Sequence, residues 1–319
     1  DPSENSQTFI TTHSPTLTSK IPLENLILLK DNAAFSVGNC YKERHTERIV
    51  RDFAKNRLLN ESEVMSYRKM VARYFDVTRS QLLFSSGCLF IEGISECQLL
   101  ETFSKLLGRS LVDNQIEIVD TDGTAFYQFL MLFNSLDENK RLPIRASFVT
   151  DEDQFTDSKD KEYNLDSLIE NGYAKLNELR EGINAGQVNG RVNNMNAMAN
   201  GQPNIKICSG QKTLEYQICK ANVYAGIERT KGTWLYELVQ QVNADGLAKV
   251  ESYIAGLGNR EMNDVEQQNV ALLIWKCLPS KAEFAQTLNS YLLEKVDENS
   301  DIKFAIPPYI QDAIAHLVR

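Results

Sequence analysis

The chain has 319 residues, 42% hydrophobic and 24% charged, and its 34 basic and 43 acidic side chains give a net charge of −9. This is an ordinary soluble composition, long enough for two domains. It excludes several classes: no apolar run approaches a membrane span, no signal-peptide pattern opens the chain, and three scattered histidines do not make a zinc site. Six cysteines without a C-x-x-C pair read as reduced core residues, which points to the cytoplasm. The acidic balance argues against a basic nucleic-acid face, although a metal-dependent nuclease needs carboxylates and its cations offset part of their field.

Taken in order, Gln7 to Ser14 reads as an apolar strand ending in a Thr/His/Ser turn, with His13 an exposed loop residue. Residues 43–75 carry dense charge with apolar residues at helical intervals and predict one or two amphipathic helices. The arginines and lysines there (Arg44, Arg48, Arg51, Lys55, Arg57) form a solvated helix face, with a DNA-facing stripe as the alternative.

Cys88-Leu89-Phe90-Ile91 is a short apolar run ended by Glu92 and Gly93, the pattern of a buried parallel strand. The helix that follows has Cys97, Leu100, Phe103 and Leu107 at helical spacing, and Ser95 with Gln98 suits a capping box. Glu92 then ends a strand and Glu96 lies a turn away. Residues 115–119 predict a second strand, ending in Asp120-Thr121-Asp122-Gly123, and 124–133 a helix. Residues 144–149 predict a third strand, running into Thr150-Asp151-Glu152-Asp153. If that strand persists, period-two alternation sends Asp151 and Asp153 to one side. Carboxylates this dense repel, and hard divalent cations with oxygen ligands answer that repulsion.

Residues 165–183 read as helix. Asn184–Gln202, rich in Asn and Gly, reads as a mobile loop. Residues 204–208 predict a fourth strand. From 213 to 295 helical periodicity dominates, with breaks expected at Gly226, Gly232, Gly246, Gly256, Gly258 and Pro279, and a short helix closes the chain. Strands alternating with helices predict an α/β fold, a mostly parallel sheet flanked by helices with an additional all-helical lobe.

Glu-Gly after one strand and Asp-x-Asp after another resemble the Toprim domain of topoisomerases, primases and some nucleases. Asp76 to Phe84, Lys212-Thr213-Leu214-Glu215-Tyr216, Ser280-Lys281-Ala282-Glu283-Phe284-Ala285 and Pro307-Pro308-Tyr309-Ile310-Gln311-Asp312-Ala313-Ile314 resemble, in the right order, the OLD (overcoming lysogenization defect) nucleases. The Gabija nuclease subunit is similar to this pattern. Residues 160–205 carry no signature of the family.

The resemblance implies a Toprim-type sheet in two parts, 85–212 and 279–319, around a helical insertion at 213–278. A helical linker at 43–84 and the end of an ABC-type ATPase domain at 1–42 would precede it. It also implies a DNA endonuclease in which Glu92 is the principal acid, Glu96, Asp151, Asp153 and Glu215 are further metal ligands, and Lys281 stabilises transition-state charge. The implied cofactors are two Mg2+ or Mn2+ ions, with Ca2+ a non-catalytic substitute. The implied partners are DNA, an N-terminal ABC-type ATPase domain, a homodimer or higher oligomer and a helicase-like protein, with no membrane and a role in phage defence. No G-x-x-x-x-G-K-[ST] is present, so ATP hydrolysis is not expected of this sequence alone. Two alternatives stand beside it. A topoisomerase or primase would share the Toprim metals, but no tyrosine has a nucleophile's context. A regulatory or assembly module would use its acids for stability alone.

Overall fold

Four apolar segments, each short and rich in β-branched or aromatic residues, form one parallel sheet in the computed structural model. The structure describes residues 7–38, 51–52, 57–58, 60–75, 79–121, 123, 126–135, 137–155, 162–224, 233–298 and 303–318. In chain order the strands are a hairpin, β1 (Ile27–Lys30) and β2 (Ala33–Ser36), a two-residue antiparallel pair, β3 (Arg51–Asp52) and β4 (Arg57–Leu58), and then β5 (Gly87–Ile91), β6 (Ile116–Asp120), β7 (Arg145–Asp151) and β8 (Ile205–Gly210). The last four make the sheet, in the order β6-β5-β7-β8, and every pairing among them is parallel.

All of β5 is buried and so is all of β7 after Arg145. A central strand covered on both faces needs an unbroken apolar run rather than an alternating one. Leu89 and Ile91 face a cluster that includes Leu99, Leu100 and Phe103 of the helix Ile94–Leu106. Cys88 and Phe90 face the opposite cluster, with Phe126, Phe129 and Phe133 of the helix Phe126–Phe133. Phe90 stacks on its cross-strand neighbour Phe148 with ring centroids 4.5 Å apart and planes 6° from parallel. Phe148→Ala is expected to cost about 3–5 kcal/mol, because a cavity would open beneath fully buried strands. Urea unfolding followed by circular dichroism measures it.

The described helices between 214 and 277 are Leu214–Asn222, Trp234–Val242, Ala244–Gly256 and Asp264–Cys277. They share one apolar cluster with the Leu89/Ile91 face of the sheet, as do Lys281–Asp297 and Pro308–Leu317. None of the described helices is long and apolar enough to cross a membrane.

Several expectations are corrected. Residues 7–14 form no strand: Phe9 and Ile10 are exposed, and no described strand lies alongside to complete a ladder. His13 is an exposed loop residue, its ring 6.2 Å from that of Phe84. Within 43–75 the described helix is Glu61–Tyr74, begun by an Asn60/Glu63 capping box, and Arg51 and Arg57 lie in the short strand pair instead of on a helix. Arg44, Arg48 and Lys55 lie outside the described residues. The helix expected over 165–183 is two, Leu165–Ile169 and Ala174–Ala185, because Gly172 and Tyr173 take left-handed backbone.

The Asn/Gly-rich stretch is not a loop throughout. Gly190–Ala199 is a helix capped by Asn189, whose side chain accepts from Val192 N–H, and it buries Val192, Met195 and Met198 at three-residue spacing. Gly246 does not break a helix, since its N–H takes the side-chain cap of Asn243 in the first turn. Ser95 is not a cap either. Gly93 holds that position without a side-chain bond. Four of the five described cysteines (Cys88, Cys208, Cys219, Cys277) are buried and all five are free, while Cys97 is exposed and not part of the core.

Candidate metal and phosphate site

Parallel strands bring their carboxyl ends to one edge, and the sequence-predicted acids sit there. Glu92 follows β5 directly. Its backbone is held by the loop after β6: Gly123 N–H donates to Glu92 O, and Thr121 donates twice to Ile91 O. Its carboxylate turns toward β7, where Asp151 N–H donates to Oε1 at 3.2 Å and the Thr150 hydroxyl donates to the same oxygen. Asp151 ends β7 and is buried. Glu96 lies in the first turn of Ile94–Leu106, also buried. Glu215 lies in the first turn of Leu214–Asn222, whose cap is Thr213. Ser95 Oγ donates to Glu215 Oε1 at 3.1 Å and approaches Lys281 O at 3.4 Å, so one hydroxyl ties three segments together. Lys281 is the first helical residue after the Ser280 cap, and its Nζ lies 3.9 Å from Glu215 Oε2.

The electrostatics report the same convergence. Burial pushes Glu96 up to about 7, with the Glu215 and Glu92 carboxylates adding to it. Burial also pushes Asp151 well above the usual carboxylate range, aided by Glu96, Glu92 and Glu215. Burial would lower the Lys281 ammonium, but Glu215, Asp151, Glu96 and Asp153 together hold it above its ordinary value.

The condition set for Asp153, a strand that persists, is not met. The strand stops at Asp151, and Asp153 has left-handed backbone (φ 50°), so alternation does not set its direction. Asp153 stays near enough for its charge to act on Lys281. Glu152 turns away, accepting from Ser209 Oγ and Gln154 Nε2. Of the two acids at the end of β6, Asp120 acts on the Cys97 thiol, and Asp122 lies outside the described residues.

Arg191, which sequence reasoning missed, stands at the centre. Its Nη2 donates to Glu92 Oε1 at 3.0 Å, Thr150 Oγ1 at 2.9 Å and the Asp151 carbonyl at 2.6 Å. Asn189 puts it there, because its amide donates to Glu152 O while its carbonyl oxygen caps the helix. The available signal was the Val192/Met195/Met198 spacing behind an Asn cap.

Among the described residues no three His, Cys, Asp or Glu side chains already enclose a cation. The donor set nevertheless suits a hard divalent ion: all oxygens, with Asp151 Oδ1 and Glu215 Oε2 buried and lacking a hydrogen-bond partner. A protonated buried acid carries a stability consequence. For a carboxyl whose folded value is raised, the charged form is the penalised one, so metal-free protein loses stability as pH rises from about 4.5 toward 7. Glu96→Gln is expected to remove at most about 3 kcal/mol of that penalty. Its melting temperature in chelator should exceed the parent's at pH 8, with the two converging near pH 4.5.

A parallel α/β sheet with acids gathered at its carboxyl edge is the layout of a Toprim domain. Residues 83–153 match the family model described as overcoming lysogenization defect protein-like, TOPRIM domain, so this part of the chain is similar to that domain. Solved structures similar to the chain include the C-terminal region of the Burkholderia pseudomallei OLD protein, at 18% identity over 73% of this chain and 97% of that one, with a TM-score of 0.39. Another is the C-terminal region of the Xanthomonas campestris pv. campestris OLD protein, at 17% identity over 74% of this chain and 94% of that one, also with a TM-score of 0.39. No curated protein matches the chain.

Proposed function

We propose that this chain carries the nuclease centre of an OLD-type protein, a divalent-metal-dependent endonuclease acting on DNA phosphodiesters. The observation that carries this reading is the gathering of Glu92, Glu96, Asp151 and Glu215, with Lys281, at one edge of a parallel sheet. Two Mg2+ or Mn2+ ions would supply an activated water and a charge clamp on the phosphate. Glu92, Glu96, Asp151, Asp153 and Glu215 are the residues that would hold them.

The chain's own groups divide the remaining work. Arg191 and the Thr150 hydroxyl fix the Glu92 carboxylate from the β7 side. Ser95 holds Glu215 against the start of the Lys281 helix. Lys281, mostly exposed yet beside the acids, is placed to meet negative charge arriving from solvent. Gly93 faces open space, since a Cβ there would meet nothing within 4 Å, which leaves the strand end accessible to a backbone phosphate.

In this reading an ABC-type ATPase region, self-association and a helicase-like protein are the partners, and phage defence is the setting. Incubating the chain with supercoiled plasmid and Mn2+ tests it. Nicked or linear product supports the nuclease; relaxed closed circles would instead indicate a topoisomerase, and unchanged plasmid a non-catalytic module.

A further inference from the structure

We propose that Tyr309 is a positioning residue for Asp151, its hydroxyl donating to the carboxylate oxygen that is left free when the other turns toward a divalent ion. This rests on the metal-site reading above and adds a residue that the acids and the lysine do not include.

The argument begins with the helix Pro308–Leu317. Pro307 caps it and Pro308 opens it, the position where proline's missing N–H costs nothing. The helix lies along the sheet, burying Ile310, Ala313, Ile314 and Leu317. Two bonds pin it to β7 in opposed order. Arg145 Nη1 donates to His316 O at 2.8 Å, and Ser147 Oγ donates to Ala313 O at 2.9 Å. As β7 advances from 145 toward 151, the helix therefore runs backward from 316 toward 309. Six strand residues span roughly 20 Å and seven helical ones roughly 10 Å, and an extended tyrosine side chain covers much of the difference.

The ring does arrive there. A Cβ built on Gly210 would stand 3.1 Å from Tyr309 Cζ, and Gly210 is the register partner of Asp151. So the last strand residue of β8 is a glycine where the tyrosine crosses it. The hydroxyl at the end of that ring is buried without a partner, and Asp151 Oδ1 is buried without one as well. Leaving either group unpartnered away from water is costly. The charges that act on Tyr309 after burial itself are Asp151 first, then Glu96, Glu215 and Glu92, so its tip lies among the site's acids. Hydrogen bonds to ligating carboxylates are the usual means by which a site fixes its donors, and losing one commonly costs 10–100-fold in metal affinity.

Tyr309→Phe keeps the ring over Gly210 and deletes only the hydroxyl. Calorimetric titration of the chain with Mn2+ should show at least about ten-fold weaker binding, with the melting temperature in chelator not lowered. The electron paramagnetic resonance spectrum of bound Mn2+ should change too, because the carboxylate's orientation shapes the ligand field, and a packing defect elsewhere would leave that spectrum alone. Gly210→Ala supplies a second variant that retains the hydroxyl but displaces the ring, and it should weaken Mn2+ in the same direction. If both variants bind Mn2+ like the parent and give its spectrum, the proposal is overturned while the metal site stands. If the parent itself binds no Mn2+, the metal-site reading has failed and this inference falls with it.

Discussion

Glu92→Ala and Asp151→Ala are each expected to abolish plasmid nicking and to remove most of the Mn2+ binding heat. Both side chains stand at strand ends, where the backbone is fixed by sheet hydrogen bonding and cannot shift to bring a substitute oxygen forward. The two variants differ in what they release. Without the Glu92 carboxylate, Arg191 loses its ion pair and keeps only the Thr150 hydroxyl and the Asp151 carbonyl. A partly buried guanidinium left without its anion is costly, so Glu92→Ala should also lower the melting temperature. Removing Asp151 instead relieves a buried acid that burial and three neighbouring carboxylates already disfavour. Asp151→Ala should therefore be inactive while unfolding no earlier than the parent in chelator. A variant that lost activity and kept full Mn2+ affinity would show that its carboxylate holds no ion.

Lys281→Ala separates charge stabilisation from metal holding. The lysine lies 3.9 Å from Glu215 Oε2, its side chain is 64% exposed, and the acids keep it charged. At that length, with its ammonium end solvated, the pair contributes little to stability although Glu215 itself is buried. Its larger effect is expected where negative charge builds on the phosphate, mainly in the transition state. Losing one such contact commonly slows the reaction by about 10²–10³-fold. The expected result is a nicking rate reduced by that factor, Mn2+ affinity almost unchanged and an unaltered melting temperature. Nicking at the parent's rate would make Lys281 a helix-surface residue. Loss of Mn2+ binding would make it a clamp on Glu215, and a Lys281→Arg variant that restored binding without restoring rate would agree with that.

The site was legible in the sequence wherever local pattern and position coincide. An apolar run that ends in an acid must place that acid at a strand end, and Glu92 and Asp151 lie there for that reason. Glu215 and Lys281 came from the family resemblance, and both lie in first helical turns, behind the caps Thr213 and Ser280. Alternation does not set the direction of Asp153, because it holds only while the strand does and β7 stops two residues earlier. Ser95 looked like a cap from its spacing to Gln98. Its hydroxyl instead found Glu215, 120 residues away, which no local rule could anticipate.

What the sequence by itself determined is the four strands of the main sheet, their parallel character and the acids at their ends, because burial on both faces demands continuous apolar runs and parallel pairing aligns every carboxyl end. The two short antiparallel pairs, β1–β2 and β3–β4, went unread. Only the tertiary structure decided what surrounds those acids. Arg191 and Tyr309 lie on helices, 99 and 217 positions beyond Glu92 in the chain, each aimed at the strand ends by contacts of its own: Asn189 on the Glu152 carbonyl for one, Arg145 and Ser147 on the last helix for the other. A side chain's partners across a sheet edge depend on how helices lie over the strands, and that is set by the packing of whole faces rather than by any spacing along the chain.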